Sequence, residues 1–377
     1  MPRRLIDAGG AQPLLDIASY ARRGPGRRDH LSHDEIELIT RTVRRTPEVM
    51  VKVLSRGGQD LKAVGRHLAY LNRGGELEIE TDDGQRLSGD GVEQELLEGW
   101  DLDLEEHRPK ADLESRSSRT PPKLVHKLLF SMPAGTPPDK VLVAVKNFAR
   151  EEFGLKHRYA MVLHTDEPHP HVHMVVKAMS EQGVRLNVRK DTLRDWRRQF
   201  ARHLREQGVA ANATERAVRG VAKPQKADGI YRAVRRGAST HWRQRAAAVA
   251  REMAATGEIR PEPAKAQMLE TRRDVVRGLS EVADDLMLQG QVELAQAVRG
   301  FVKQLPPVRT EREWIRDELL QQATTERHRA VASWRAFRAQ QQDAEEQARQ
   351  REPDRAWERD LERSRGRSRD HGHDRAR

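Results

Sequence analysis

His164-Thr-Asp-Glu-Pro-His-Pro-His-Val-His173 sets four histidines and two carboxylates in ten positions, in a chain of 377 residues that holds only 15 histidines. Apolar runs flank it, Tyr159-Ala-Met-Val-Leu163 before and Met174-Val-Val176 after. Two such runs around a proline-rich polar segment predict a strand, a tight connection and a second strand. Side chains of a strand alternate faces, so His171 and His173 point the same way with Val172 between them. His164, closing the first strand, reaches that face if the two strands pair as a hairpin. Three imidazoles then converge on one point, as a divalent metal requires. A merely polar loop has no need of two histidines in register on a strand. His169 lies on the same side of the alternation, but Pro168 and Pro170 break strand geometry around it, and it is left outside the triad.

Upstream, the tyrosines narrow quickly. There are four, Tyr20, Tyr70, Tyr159 and Tyr231. Tyr159 belongs to an apolar strand, and Tyr20 and Tyr231 sit in arginine-rich segments. Tyr70 falls in Asp60-Leu-Lys-Ala-Val-Gly-Arg-His-Leu-Ala-Tyr-Leu-Asn-Arg73, where Leu61, Val64, Leu68 and Leu71 recur at helical spacing. At about 100° per residue these four share one face, and Tyr70 projects roughly 140° from the centre of that stripe. Packing does not require it. Arg66 and Arg73, at i−4 and i+3, flank it. A surface tyrosine between two arginines can offer its oxygen to a phosphate whose charge the arginines hold.

Composition sets the class of partner. Lysine and arginine outnumber aspartate and glutamate by 69 to 58, for a net charge of +11, which favours a polyanion such as DNA. Charged residues make up 34% and aromatics 4%, so much of the chain is expected as extended helix or disorder rather than core. The absence of cysteine excludes disulfides, thiolate zinc sites and cysteine nucleophiles, and fits a reducing cytoplasm. No apolar h-region opens the chain, no stretch is long enough to span a membrane, and no GxxxxGK[ST] motor motif occurs.

The fold class read from the pattern is α+β, with a central antiparallel sheet flanked by helices and a helical, partly disordered C-terminal region. Residues 1–48 read as a basic leader, with Arg22–Arg28 flexible and a capping box at Ser32–Glu35 opening a short helix. Residues 49–225 read as the catalytic domain: strands at 49–55, 76–80, 124–131 and either side of the histidine segment, helices at 60–73, 91–102 and 138–152, and a charged loop over 103–122. Val184–Val188 reads as a short strand or the edge of the site. A basic amphipathic helix, Asp191–Gly208, sets Trp196, Phe200 and Leu204 on one face and offers Arg194, Arg197, Arg198 and Arg202 to phosphates. Residues 226–350 read as charged helices at 240–256, 264–303 and 308–350, with periodicity that suits a coiled coil or a docking module. Residues 351–377 read as a disordered tail, in which His371 and His373 have no strand and no third ligand.

The pattern His-x-Asp-x-x-His-Pro-His-hydrophobic-His between two apolar strands resembles the metal motif of the relaxases, the mobilisation nucleases of conjugative DNA transfer. Within the HUH endonuclease superfamily it is most similar to the VirD-type border endonucleases. Val51-Lys-Val-Leu-Ser-Arg56 and Leu68-Ala-Tyr-Leu-Asn-Arg73 with Gly74-Gly75 resemble the family's nucleophile segment, and Phe130-Ser-Met-Pro-Ala-Gly-Thr136 a third shared block. The resemblance runs over roughly residues 48–225. A tyrosine placed before the metal strands matches relaxases and differs from replication initiators, where it follows them. The resemblance implies that His164, His171 and His173 bind a divalent metal, Mg2+ or Mn2+, and that Tyr70 attacks a DNA phosphate. It implies single-stranded DNA at an origin of transfer, accessory relaxosome proteins and a type IV secretion coupling protein as partners. It also implies a bacterial cytoplasmic enzyme, exported with its DNA, with no membrane insertion and with a secretion signal carried toward the C-terminus.

A free phenol ionises near pH 10, about three units above neutrality, so the tyrosine requires activation. Three neutral histidines leave the full charge of a bound metal in place, to polarise a non-bridging phosphate oxygen and orient the scissile bond. The product is a covalent phosphotyrosine and a free 3′-hydroxyl, a bond that conserves the energy of the phosphodiester. Asp166 has two readings, fixing the tautomer of a ligand histidine or accepting the tyrosine proton. Two other functions compete, a metallophosphoesterase that uses water and a nucleic-acid-binding protein with a structural metal. Structural zinc sites usually have four ligands and often cysteine, which weighs against the last.

Overall fold

The computed structural model describes residues 31–54, 58–103, 122–220 and 239–369. Tyr20, Tyr231, the Arg22–Arg28 segment, nearly all of the charged loop expected at 103–122 and the His371/His373 pair lie outside the described residues. The rest divides into two units, one within Met1–Val221 and Met268–Pro307, the other within Ala222–Gln267 and Val308–Arg377.

The first unit opens with α1 (His33–Val43). Its capping box forms as expected, with the Glu35 carboxylate accepting from the Ser32 backbone N–H at 2.7 Å and the Ser32 hydroxyl accepting from the Glu35 N–H at 3.3 Å. Then come β1 (Met50–Leu54), α2 (Leu61–Leu71), β2 (Ile79–Thr81), β3 (Arg86–Leu87) and α3 (Val92–Gly99). After the undescribed loop follow β4 (Val125–Ser131), α4 (Pro138–Phe153), β5 (Tyr159–His164), β6 (His171–Lys177), α5 (Lys190–Glu206) and the single turn α6 (Arg216–Arg219). The strands form one six-stranded sheet in the order β1-β4-β6-β5-β2-β3, antiparallel at every pairing. The fold is α+β. The short strand expected at Val184–Val188 does not form, and only an isolated bridge between Met179 and Arg185 stands there. The segment pairs back only briefly, with the Ser180 N–H donating to the Val184 carbonyl and the Leu186 N–H to the Ala178 carbonyl.

Two apolar layers sandwich the sheet. On one face Leu128, Phe130, Met161, Val172, Met174 and Val176 pack against Val145, Phe148 and Phe153 of α4 and Trp196, Phe200 and Leu204 of α5. On the other, Val125, Ala160, Val162 and Val175 pack against Val64, Leu68 and Leu71 of α2 and Val92 and Leu96 of α3. Alternation along β5 and β6 assigns His164, with Ala160 and Val162, and His171 and His173, with Val175, to the α2 face.

After α7 (Thr240–Thr256), a third apolar cluster joins α1 to a helical hairpin: α8 (Pro263–Leu288) and α9 (Val292–Lys303) supply Val275, Leu279, Val282, Leu286, Val298 and Phe301 against Leu31 and Ile39. The single helix expected at 264–303 is therefore two. Gly290, at φ +74, takes the left-handed turn between them, a conformation glycine adopts without the penalty a Cβ would impose. In the second unit, α7 (Thr240–Thr256) buries Val249, and α10 (Glu311–Arg369) buries Ile315. Lys265 pairs with Glu313 at 2.7 Å, and Arg245 with Glu311 and Arg312 with Glu252 also pair across this unit. The backbone of α10 stays helical past Arg351, where disorder was expected, since glutamate, arginine, glutamine and alanine are strong helix formers even without packing. Among the described residues no helix is long and apolar enough to cross a membrane.

Candidate metal centre and nucleophile

The histidine triad is assembled by sheet register. His164 and His171 face each other directly across the β5–β6 pair, and His173 sits opposite Val162. Their ring centroids stand 5.3 Å apart for His164–His171, 4.9 Å for His164–His173 and 5.3 Å for His171–His173. One ring nitrogen from each lies within 4.8 Å of the others. The exposed His169 takes no part through its ring. Its backbone carbonyl does, lying 2.9 Å from Nδ1 of His171.

Hydrogen bonds select which nitrogen is free. His164 Nε2 lies 2.8 Å from the Leu71 carbonyl and must donate to it, which leaves Nδ1 as the lone-pair nitrogen. His171 donates from Nδ1 to the His169 carbonyl, which leaves Nε2. His173 keeps a buried Nδ1 with no hydrogen-bond partner. Two oriented imidazoles and a third with an unsatisfied buried nitrogen are a donor set that fits a divalent cation. Burial, followed by the neighbouring His164 and His171, pushes the His173 pKa down to about 3, so the ring is neutral at physiological pH. Burial lowers His164 as well, with the Leu71 carbonyl opposing it.

Tyr70 comes to this triad on α2. Asp60 caps the helix by accepting from the Ala63 N–H at 2.7 Å. Val64, Leu68 and Leu71 are buried beneath it, and Tyr70 is 52% exposed, off the stripe as its phase predicts. Its ring centroid is 6.5 Å from that of His164. The Arg73 guanidinium lies 5.2 Å from the centre of the Tyr70 ring and is ion-paired with Asp166. No hydrogen bond joins Asp166 to a triad histidine among the described residues; its partner is Arg73. Arg66 is exposed on the same helix.

One site residue escaped the sequence. His67, one turn before Tyr70, stacks on it at 6.3 Å with an interplanar angle of 16°, and its ring also meets His173 edge-on at 6.3 Å. Burial, then Lys127 and His164, pushes its pKa down to about 4. The i, i+3 spacing to Tyr70 was the available signal. Lys127 is buried on β4 beneath the same helix, with Nζ 3.4 Å from the Ala63 carbonyl.

The arginines of α5 are placed elsewhere. That helix packs on the opposite face of the sheet from the triad, through Trp196, Phe200 and Leu204. Arg194 pairs with Asp191 and Glu215, and Arg198 with Asp195, while Arg197 has no ion pair among the described residues.

Residues 89–209 match the family model of the MobA/VirD2-like relaxase nuclease domain. The match covers the triad, Asp166 and α5; Tyr70 lies upstream of it. The chain is 27% identical over 190 residues to the T-DNA border endonuclease VirD2 of Rhizobium radiobacter, a match that takes in 47% of this chain and 44% of that protein. It is 26% identical over 203 residues to the VirD2 of Agrobacterium fabrum strain C58, across 50% of this chain and 44% of the relative. The chain thus spans less than half the length of these curated relatives.

Proposed function

We propose that this chain carries a nuclease domain of the MobA/VirD2-like relaxase family and nicks one DNA strand at an origin of transfer by tyrosine transesterification. The observation that carries this reading is the placement of Tyr70, exposed, on the helix whose last carbonyl is bonded to a triad histidine. In the reaction the Tyr70 Oη attacks the scissile phosphorus as the P–O3′ bond breaks. The phenolic proton leaves as the 3′-oxygen gains one, giving a 5′-phosphotyrosine and a free 3′-hydroxyl. The reverse step reseals the strand without ATP.

His164, His171 and His173 would hold the divalent metal, Mg2+ or Mn2+, which when bound supplies Lewis acidity to a non-bridging phosphate oxygen. The chain's own groups do the positioning. Arg73, beside the Tyr70 ring, and the exposed Arg66 place positive charge where the phosphate charge arrives. Asp166 acts through Arg73, holding its guanidinium in place. His67 stacks on the Tyr70 ring and limits its rotation. By the same reading the enzyme works in the bacterial cytoplasm with accessory relaxosome proteins, pilots the strand through a type IV coupling protein, and is exported with it.

The test is incubation with metal and single-stranded oligonucleotides drawn from the intergenic DNA beside its gene, followed by denaturing electrophoresis. A covalent protein–DNA adduct is expected, and Tyr70→Phe should lack it. Cleavage without an adduct would replace this reading with a phosphoesterase that uses water.

A further inference from the structure

The back of the nuclease unit concentrates positive charge that its own carboxylates do not balance. Arg194 and Arg197 are one turn apart on α5, and Arg216 and Arg219 one turn apart on α6. The two helices are joined by Glu215, the residue capping α6, whose carboxylate is 2.6 Å from Arg194 Nε. Glu48 is 3.6 Å from Arg219 Nε, but that carboxylate is already occupied, accepting from the Thr214 N–H at 2.8 Å and from the Asn212 amide at 3.3 Å. Nε of Arg219 is buried without a hydrogen-bond partner.

Arg197 stands one turn from Arg194 on α5, near enough to feel the charges of Arg216 and Arg219. It is half-buried and has no ion pair among the described residues. Burial lowers its pKa from the ordinary arginine value; Glu215 opposes this, and Arg194, Arg216 and Arg219 add to it. Four guanidiniums against three carboxylates, Asp191, Glu215 and Glu48, leave an excess of one positive charge, partly out of water. An unpaired, partly desolvated cation is unfavourable unless another group offsets its charge. Guanidinium forks match the oxygens of a phosphate, and Arg216 is exposed, so the cluster is open to a ligand.

We propose that Arg197, Arg216 and Arg219, braced by Arg194, form an anion site for the phosphates of a DNA strand on the sheet face opposite the histidine triad. This rests on the relaxase reading and extends it. A strand held here as well as at Tyr70 passes around the edge of the sheet, so the site is engaged by long oligonucleotides and not by ones that cover only the scissile region.

The test is the double variant Arg197→Gln/Arg216→Gln, in the full chain, which leaves both arginine–glutamate pairs intact. Fluorescence anisotropy would follow a long and a short labelled single-stranded oligonucleotide over a range of salt. The expected result is weaker binding of the long strand, with a salt slope shallower by about 1.4 for two lost phosphate contacts on single-stranded DNA. Binding and adduct formation with the short strand should be unchanged. An unaltered slope with the long strand would overturn the proposal, as would equal losses on both strands. Absence of an adduct in the parent protein bears on the relaxase reading alone, because the salt slope does not depend on cleavage.

Discussion

The Nε2 of His164 lies 2.8 Å from the carbonyl oxygen of Leu71, the residue beside Tyr70. The histidine triad and the end of the Tyr70 helix, 93 positions apart at His164 and Leu71, are thereby tied by one hydrogen bond. Removing the imidazole should therefore do two things, and removing the phenol oxygen one. His164→Ala is expected to lose metal binding and adduct formation together. Tyr70→Phe is expected to lose the adduct while metal titration and oligonucleotide binding stay at parent values. Calorimetry beside an adduct gel separates them, and a Tyr70→Phe protein that still forms the adduct would transfer the role to another tyrosine.

The three histidines at the end of the β5–β6 connection should not be equal. His171→Ala and His173→Ala each delete a ring of the cluster, and metal affinity should fall by more than about a hundredfold, beyond the range typical of outer partners. His169→Ala should leave it nearly intact, because His169 contributes only a backbone carbonyl to Nδ1 of His171. Matching losses for all three in calorimetric titrations would show that the ring of His169 is a ligand.

Acid should weaken the metal-free protein before its carboxylates titrate. His67 and His126, both pushed down to about 4 by burial, stay neutral in the folded chain, whereas the unfolded chain takes up protons near 6.5. Between these values the unfolded state binds more protons, so stability falls as pH drops from about 6.5 toward 4 and then levels off as far as these groups are concerned. Urea midpoints measured in chelator at pH 7 and pH 5 should differ in that direction, and His126→Gln should reduce the difference. A midpoint indifferent to pH over this interval would mean that these rings are not held neutral.

Truncation should distinguish two cut points. A chain ending at residue 225 loses Val275, Leu279, Val282 and Phe301, which cover Leu31 and Ile39 of the α1 region, and should melt at a lower temperature than the full chain. A chain ending at residue 307 keeps that cover and should nick oligonucleotides as the full chain does. Equal melting temperatures for both would show that the α8–α9 hairpin adds nothing to the stability of the sheet unit.

The parts of the site legible in sequence were those that depend on periodicity. Strand alternation placed His171 and His173 on one face, and helical phase turned Tyr70 away from Val64, Leu68 and Leu71. What periodicity does not carry is the layer to which a helix is assigned. Arg194, Arg197 and Arg198 read as phosphate contacts without a stated layer, and α5 packs on the face of the sheet opposite Arg66 and Arg73, because its Trp196 and Phe200 meet Phe148 and Phe130 there. His67 carries no periodic signal for a related reason, since a histidine at i−3 from a tyrosine becomes meaningful only when the sheet beneath supplies His173. Asp166 reads as a partner of a ligand ring or of the phenol, and the ion pair of its side chain is with Arg73.

The end of α2 has a consequence for how this sequence can drift. An α-helix continued past Leu71 would give that carbonyl to the N–H of residue 75. Here Arg73, Gly74 and Gly75 all take positive φ, and the Gly75 N–H goes to Asn72 at 3.1 Å. The freed Leu71 oxygen is the one that orients His164. Replacing these glycines would look like an improvement to a designer seeking thermostability, since alanine exceeds glycine in helix propensity by about 1 kcal/mol. At position 75 the added carbon would sit 2.7 Å from the Gly89 backbone. At position 74 there is open space for the added carbon, but φ is +67, so a side chain there is strained by the backbone alone, and relief of that strain would disturb the turn that leaves the Leu71 oxygen to a histidine ninety residues downstream. The same turn therefore answers to two selections at once, one on the backbone and one on the orientation of a histidine.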